Sequence, residues 1–380
     1  MRKILFIVPN LTPGGIQKQA YLLGKYFSKS LGFQVTFVGM MAYDKIYVSQ
    51  LKEEGISVIF RPDLGDVIWN YNNHGFFRRA FGWFRLWVFQ LSFGRSLLFT
   101  FTRNADLFMN VLVNFSLIKR SFSFERGGHD SIKPESPSLI TYLRRKANPI
   151  YVANSNHGRD SMAKIKNINP SIIYVVPNGI ELNSYMPRKN EGSKLRIVMV
   201  ANFFNEKEHC FVIESLFKIP LEELKRIELK FVGLGGGRDC QDNFNKAQKL
   251  VNELGMSEYI HFEGQTNNVE NLLSQMDIGL LATKSEGCPN AILEYMRASL
   301  PVLASKIPGI QEVISKANEQ FLFENGNVKE FQSKLLFLLS SKHMREKVGK
   351  QNRLHVEKNF SVQKMCGLYS DILRKENLLN

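Results

Sequence analysis

Short apolar runs rich in β-branched and aromatic residues alternate along the chain with longer stretches of helical spacing. In the first half the runs fall near residues 3–9, 34–40, 56–60, 106–110, 119–124, 149–154 and 172–176, with helical patterns between them, for example over 15–30 and 136–147. After Pro177-Asn178-Gly179 and the polar stretch "PRKNEGSK" a second series begins, with runs near 195–201, 227–233, 259–263, 277–281 and 301–304. A last helix is expected over 361–376, with Ser361 as its N-cap. Strand–helix alternation predicts parallel sheets joined by right-handed crossovers. Two such series predict an α/β protein of two doubly wound, Rossmann-like domains, residues 1–182 and 183–360, with residues 361–380 packing back on the first. Ligands of these sheets bind beyond the carboxyl ends of the strands, so the domains are expected to face each other across a cleft that holds the site.

A length of 380 residues suits two such domains. Composition is globular, 44% hydrophobic and 22% charged. Cys210, Cys240, Cys288 and Cys366 are scattered without a C-x-x-C pair, so neither a disulfide framework nor a zinc site is expected. The opening "MRKILFIVPN" is too short an apolar run for a signal peptide and reads as a buried first strand. Nowhere do about 18–20 apolar residues run without a charge, so no membrane-spanning helix is expected. The net charge of +15 is uneven: residues 1–182 carry +12 and residues 183–380 carry +3. Such asymmetry points the first half toward something anionic, either nucleic acid or an acidic membrane surface.

Three loops, each after a strand, could hold phosphate. In "VPNLTPGGIQKQA" the pair Gly14-Gly15 serves either as a flexible turn or to bring backbone N–H groups close to a phosphate. In "VANFFNEKEH" Lys207 can reach a diphosphate as a point charge, although an isolated lysine is more often a solvated surface residue. In "SEGCPNAILE" Glu286 and Glu294 lie eight apart around a Gly287-Cys288-Pro289-Asn290 turn. Pro289 near the first helical position leaves backbone N–H groups to meet an anion. Spacing alone is weak, since Glu206 and Glu214 repeat it. Acids flanking an anion site are suited to accept hydrogen bonds from hydroxyls on either side of it. A nucleotide sugar has that layout: sugar hydroxyls, diphosphate, ribose hydroxyls.

The stretch "SEGCPNAILEYMRASLPVLASKIPGIQEVI" resembles the E-x7-E signature of the family 4 retaining glycosyltransferases of bacterial polysaccharide and lipopolysaccharide type, which adopt the GT-B fold. "TPGGIQKQAYLLGKYF", "IYVVPNGIELNSYMP", "RIVMVANFFNEKEH", "LKFVGLGGG", "IHFEGQTNNVENLLSQMDIGLLATKSEG" and "NFSVQKMCGLYSDIL" look like further family segments in the family's order, so the resemblance covers most of the chain. It implies a retaining hexosyltransferase with no metal and no cofactor, its nucleotide-sugar substrate most commonly UDP-linked; the chain has no Asp-x-Asp motif. It implies that Glu286 and the backbone at Gly287, Cys288 and Pro289 hold the donor sugar and diphosphate, with Asn290 beside them. Glu294 would take the ribose hydroxyls, Lys207 would neutralise the departing phosphate, and Gly264 would lie near the base. Gly15, next to Gly14, would donate an N–H to the same phosphates from the other domain. Retention through front-side attack makes stabilisation of leaving-group charge the main catalytic contribution.

Departures from the family pattern also carry expectations. Asn202 stands where many members have Arg, which removes one diphosphate cation. The loop that often carries a His reads "SFSFERGGHD", which places Glu125 and Arg126 on the acceptor side, with His129 either a substitute or a solvated bystander. "VGLGGGRD" has the look of a dinucleotide fingerprint but lies mid-domain rather than after the first strand of its series.

Residues 67–102 contain all three tryptophans, four arginines and no acid. On a helix from about residue 76, Phe77, Phe81, Phe84, Val88 and Leu91 form one stripe. A core helix with snorkelling arginines would look similar. Trp83 and Trp87, however, lie off the stripe and make the helix apolar on too many sides for one core. With Arg78 and Arg85 they predict an interfacial helix docked on an anionic cytoplasmic leaflet. The expected protein is thus cytoplasmic and peripheral on the inner face of the plasma membrane. It would move a sugar from a nucleotide-sugar donor to a lipid-linked saccharide acceptor in surface polysaccharide assembly. One alternative is a non-catalytic membrane-associated subunit of the same fold, against which Glu286, Glu294 and Lys207 argue. The other is a basic nucleic-acid-binding protein; without a helix-turn-helix, RRM or zinc module, no nucleic-acid partner is expected.

Overall fold

The computed structural model describes residues 2–70, 75–127, 134–136, 138–182, 194–234, 238–266 and 268–379. His129, most of the "PRKNEGSK" stretch and Gly235, Gly236 and Gly237 of the glycine run lie outside the described residues. The chain divides into two compact units, Met1–Gly179 with Met365–Asn380, and Ile180–Lys364.

The first unit is built on β1 (Lys3–Leu11), β2 (Gln34–Tyr43), β3 (Ser57–Phe60), β4 (Ser96–Thr100), β5 (Arg120–Glu125), β6 (Ile150–Ala153) and β7 (Ile173–Val175). They pair in parallel in the order β3-β2-β1-β4-β5-β6-β7. Strands covered on both faces by helices read as continuous apolar runs, and β4, "SLLFT", is buried at every position. Phe37, Phe6, Phe99 and Phe122 sit opposite one another in register across four strands. Their ring centroids are 4.9, 5.0 and 4.1 Å apart, so each pair adds directional contact to the burial. Tyr369, from the last helix Val362–Lys375, sets its ring against Phe27 and Phe124 in the same unit. Ser361 caps that helix, its Oγ accepting the Lys364 N–H at 3.2 Å.

Two expectations fail here. Residues 106–110 are not a strand; they belong to a helix, Arg103–Val113, whose N-cap is Thr102. On it Ala105, Phe108, Met109 and Leu112 fall on one face and enter the core. A short apolar run carries no period long enough to separate helix from strand. The strand that pairs with β1 is β4, which lies inside the 67–102 segment. That segment is therefore several elements: the end of a helix Pro62–Trp69, a helix Phe76–Leu91, and β4.

The second unit contains β8 (Leu195–Val200), β9 (Ile227–Val232), β10 (Ile260–Gly264), β11 (Ile278–Leu281), β12 (Val302–Ser305) and β13 (Leu322–Phe323), in the order β10-β9-β8-β11-β12-β13. β13, two residues long, gave no readable run in the sequence. In both sheets the order reverses beside the first strand of the series, the hallmark of a doubly wound fold.

His209, on the first helix after β8, stacks flat on Phe203 at 3.9 Å and meets Phe231 edge-on at 5.1 Å. Burial holds its imidazole neutral, with the pKa lowered to about 4, and hydrogen bonding to the backbone of Lys207 and Ala201 offsets only part of that. As pH falls from about 6.5 to about 4, the unfolded chain binds a proton that the native protein refuses, so stability falls. Relative to a His209→Gln variant, the wild type should lose about 1.4 kcal/mol more per pH unit in that window, measured by urea unfolding. Parallel stability–pH curves for the two proteins would contradict the assignment.

Candidate functional site

The strand-order reversal in the second sheet sets the carboxyl ends of β8 and β11 side by side, and the loops that leave them run to opposite faces. Those two loops are tied together by their own backbone. Glu208 N donates to Ala282 O at 3.0 Å, and Lys284 N donates to Glu206 O at 2.9 Å. Thr283, fully buried, donates its hydroxyl to Glu206 O at 3.1 Å, and its N–H reaches Ser305 Oγ at 2.9 Å. Lys207 lies opposite Thr283 in an antiparallel bridge.

Lys207 Nζ hydrogen-bonds to Glu286 Oε1 in an ion pair of two largely buried side chains, and lies 3.4 Å from Thr283 Oγ1. A close approach backs the Glu286 turn. A Cβ on Gly309 would lie 2.1 Å from Glu286 O and 2.5 Å from Gly287 O, so only glycine lets the turn after β12 pack there. Beyond Glu286 the chain enters the helix Asn290–Arg297 with Pro289 as N-cap, one residue later than the sequence pattern suggests. Pro289 offers no side-chain cap and no acid lies in the first turn, so the positive end of the helix suits an anion. Cys288 is buried in the core, and Glu294 is buried one turn inside the helix.

Tyr295 fixes that helix to both strands. Its hydroxyl, fully buried, accepts from Val200 N at 2.6 Å and donates to Leu280 O at 3.2 Å. Gly279 makes room for its ring, since a Cβ there would lie 2.4 Å from the ring carbons. Thr283, Tyr295 and Gly309 were not singled out in the sequence. A glycine directly after the proline that follows β12 was the only signal among them.

Asn202 follows β8, its carbonyl accepting from Phe204 N at 2.9 Å. Gly264 ends β10 at φ +67°, and its carbonyl accepts from Gly233 N at 2.8 Å. Gly233 adopts φ +145° and packs so tightly that a Cβ would lie 2.5 Å from Ala201 O. The structure therefore lines up Gly264, Asn202, Lys207, Glu286, Gly287, Cys288, Pro289 and Asn290 along the carboxyl edge of one sheet, with Glu294 behind them. Burial raises the carboxyl pKa of Glu208 beside this row, and Lys284, 3.7 Å away, opposes the shift.

The remaining residues belong to the first unit. Gly14 is the N-cap of the helix Gly15–Lys29 in extended backbone, with no side-chain cap. Glu125 ends β5, and its Oε1 accepts from the N–H groups of Arg126 and Gly127 at 3.1 and 3.2 Å. The Arg126 guanidinium lies over Phe101 and Phe124 and donates to Asn178 Oδ1 at 2.9 Å. Both side chains thus hold their own turn in place.

A family model described as glycosyl transferases group 1 matches residues 185–355. The chain is 26% identical over 191 residues to the N-acetyl-alpha-D-glucosaminyl L-malate synthase of Bacillus anthracis, covering 49% of this chain and 48% of that protein. It is 26% identical over 273 residues to a UDP-Gal:alpha-D-GlcNAc-diphosphoundecaprenol alpha-1,3-galactosyltransferase of Escherichia coli, covering 66% and 67%. The chain thus spans about half the length of the first relative and two thirds of the second. Among solved structures, Anabaena Alr3699/HepE in complex with UDP matches with a TM-score of 0.76 at 16% identity, covering 98% of this chain and 100% of that one. WaaG, a glycosyltransferase involved in lipopolysaccharide biosynthesis, matches with a TM-score of 0.71 at 16% identity, covering 97% and 99%. The fold is GT-B, and the family-model match supports a glycosyltransferase.

Proposed function

We propose that the chain is a family 4 retaining glycosyltransferase that moves a sugar from a nucleotide-sugar donor to a lipid-linked saccharide. One observation carries this reading: Lys207 and the amino end of the helix Asn290–Arg297 meet at the strand-order reversal, with Glu286 and Glu294 on either flank. A diphosphate there meets one ammonium and a helix end, while the acids accept hydrogen bonds from hydroxyls on both sides. Lys207 would stabilise the charge that grows on the departing β-phosphate, and the phosphate would help deprotonate the acceptor on the same face of the sugar. This chemistry needs no resident metal or cofactor. UDP as carrier is supported by the E. coli relative, whose name specifies UDP-Gal and a diphosphoundecaprenol acceptor. Glu125 and Arg126 are assigned to the acceptor side.

The membrane-docking part of the reading rests on the helix Phe76–Leu91. Its buried residues are Gly82, Leu86, Phe89 and Gln90, while Trp83 and Trp87 lean against the same core. The Trp87 indole donates to Phe115 O at 2.7 Å. Arg78 pairs with Asp66 and Arg85 with Asp63. Of the stripe, Phe77, Phe81, Phe84 and Val88 face outward, from 46% exposed at Val88 to 87% at Phe77, while Leu91 is half-buried; Phe76, Phe115 and Leu117 are exposed as well. Exposed apolar surface on this scale marks an interaction site. A helix without acids in a strongly basic region of sequence favours an anionic lipid surface as its partner. The phenylalanines, rather than Trp83 and Trp87, would enter the lipid, with the protein peripheral on the inner face of the plasma membrane. No helix among the described residues is long and apolar enough to cross a membrane.

Incubated with a panel of nucleotide sugars, the wild type should hydrolyse at least one donor slowly, scored by mass spectrometry. Glu286→Ala should reduce that rate by about 100-fold or more. An unaltered rate, or no donor consumed by the wild type, would count against the enzyme and favour a non-catalytic subunit. Serine at Phe76, Phe77, Phe81 and Phe84 together should cut flotation with anionic liposomes by about tenfold or more, with circular dichroism unchanged. Equal flotation of variant and wild type would dispose of the docking face.

A further inference from the structure

Glu286 is both the acid placed to read a donor hydroxyl and the present partner of Lys207. The loops that carry the two charges are tied by three hydrogen bonds, Glu208 N to Ala282 O, Lys284 N to Glu206 O, and Thr283 Oγ1 to Glu206 O. Gly309 backs the Glu286 carbonyl at a distance no side chain allows. The pair is therefore imposed by the scaffold rather than by chance meeting of two flexible ends. Its side chains are 15% and 19% exposed, so solvent screens it less than a surface pair.

We infer that Glu286 is an internal counter-ion that makes the site discriminate between an intact nucleotide sugar and the free nucleoside diphosphate. This rests on the reading that the diphosphate binds at Lys207. A phosphate that takes Lys207 competes with the Glu286 carboxylate for that ammonium and sits beside it, like charge against like charge. A nucleotide sugar compensates, because its sugar hydroxyls donate to the carboxylate that has lost its ammonium. A nucleoside diphosphate has no sugar to offer there and leaves Glu286 without a replacement. The same carboxylate that holds the donor thus works against retention of the by-product once the sugar has left. With Asn202 at the end of β8 in place of a cation, Lys207 is the ammonium for which both compete.

The test is isothermal titration of UDP, GDP, ADP and inorganic pyrophosphate into wild-type protein and into Glu286→Gln, which keeps shape and hydrogen bonding but not charge. The variant should bind the preferred nucleoside diphosphate, and pyrophosphate, about tenfold more tightly while losing donor turnover. The gain should vanish in the Lys207→Gln background, since a double-mutant cycle isolates the contest for that ammonium. A purely structural role for Glu286 would weaken or leave unchanged all four titrations. Equal or weaker binding by Glu286→Gln overturns the counter-ion while leaving the diphosphate site standing. Absence of binding to either protein overturns both.

Discussion

The second sheet reverses its strand order between β8 and β11, and hydrogen bonds across that reversal bind the two emerging loops into one piece. Everything attributed to the site depends on that fastening. It holds Lys207 against Glu286, and through Thr283 and Ser305 it extends to β12. Tyr295 does the same from below, accepting from β8 and donating to β11, so the helix that begins after Pro289 keeps a fixed height above the sheet edge. A site that works by electrostatic stabilisation needs its charges placed before the ligand arrives, because reorganisation would consume the gain.

The economy of charge follows from the same placement. Among the described residues, Lys207, Glu286, Glu294 and the amino end of the helix Asn290–Arg297 lie along a short arc of sheet edge, with Glu208 and Lys284 beside them. Lys207 and Glu286 neutralise each other, which spares the protein an isolated, poorly hydrated charge. Entry of a ligand becomes an exchange of partners rather than a creation of new charge. The first unit offers a different chemistry: a register-matched row of phenylalanines inside, and an outward phenylalanine face on the helix Phe76–Leu91.

Much of this was legible in the residues. The runs around 195–201, 227–233, 259–263, 277–281 and 301–304 became β8 to β12 because both sheet faces are covered, which leaves strands apolar throughout and easy to see. Lys207 and Glu286 could each be placed on a loop after a strand from the strand–helix alternation alone. Three things could not. The helix Arg103–Val113 passed for a strand, because its apolar positions sit in too short a run for the period to show. The outward direction of Phe77, Phe81, Phe84 and Val88 was hidden, because a stripe gives a face but not what the face meets; Gly82, packed against Val67, decides it. The fastening residues Thr283, Tyr295 and Gly309 act through contacts with chain far away, and no local spacing encodes those contacts.

The proposed chemistry stands on one location, a nucleoside diphosphate held between Lys207 and the amino end of the helix Asn290–Arg297. Crystals grown with UDP test it most directly. Pyrophosphate density is expected within hydrogen-bonding distance of Lys207 Nζ and of backbone N–H groups of Cys288, Asn290 or Ala291, with Glu286 turned away from Lys207. Density for the pyrophosphate in another crevice, with the Lys207–Glu286 pair still closed, would contradict it.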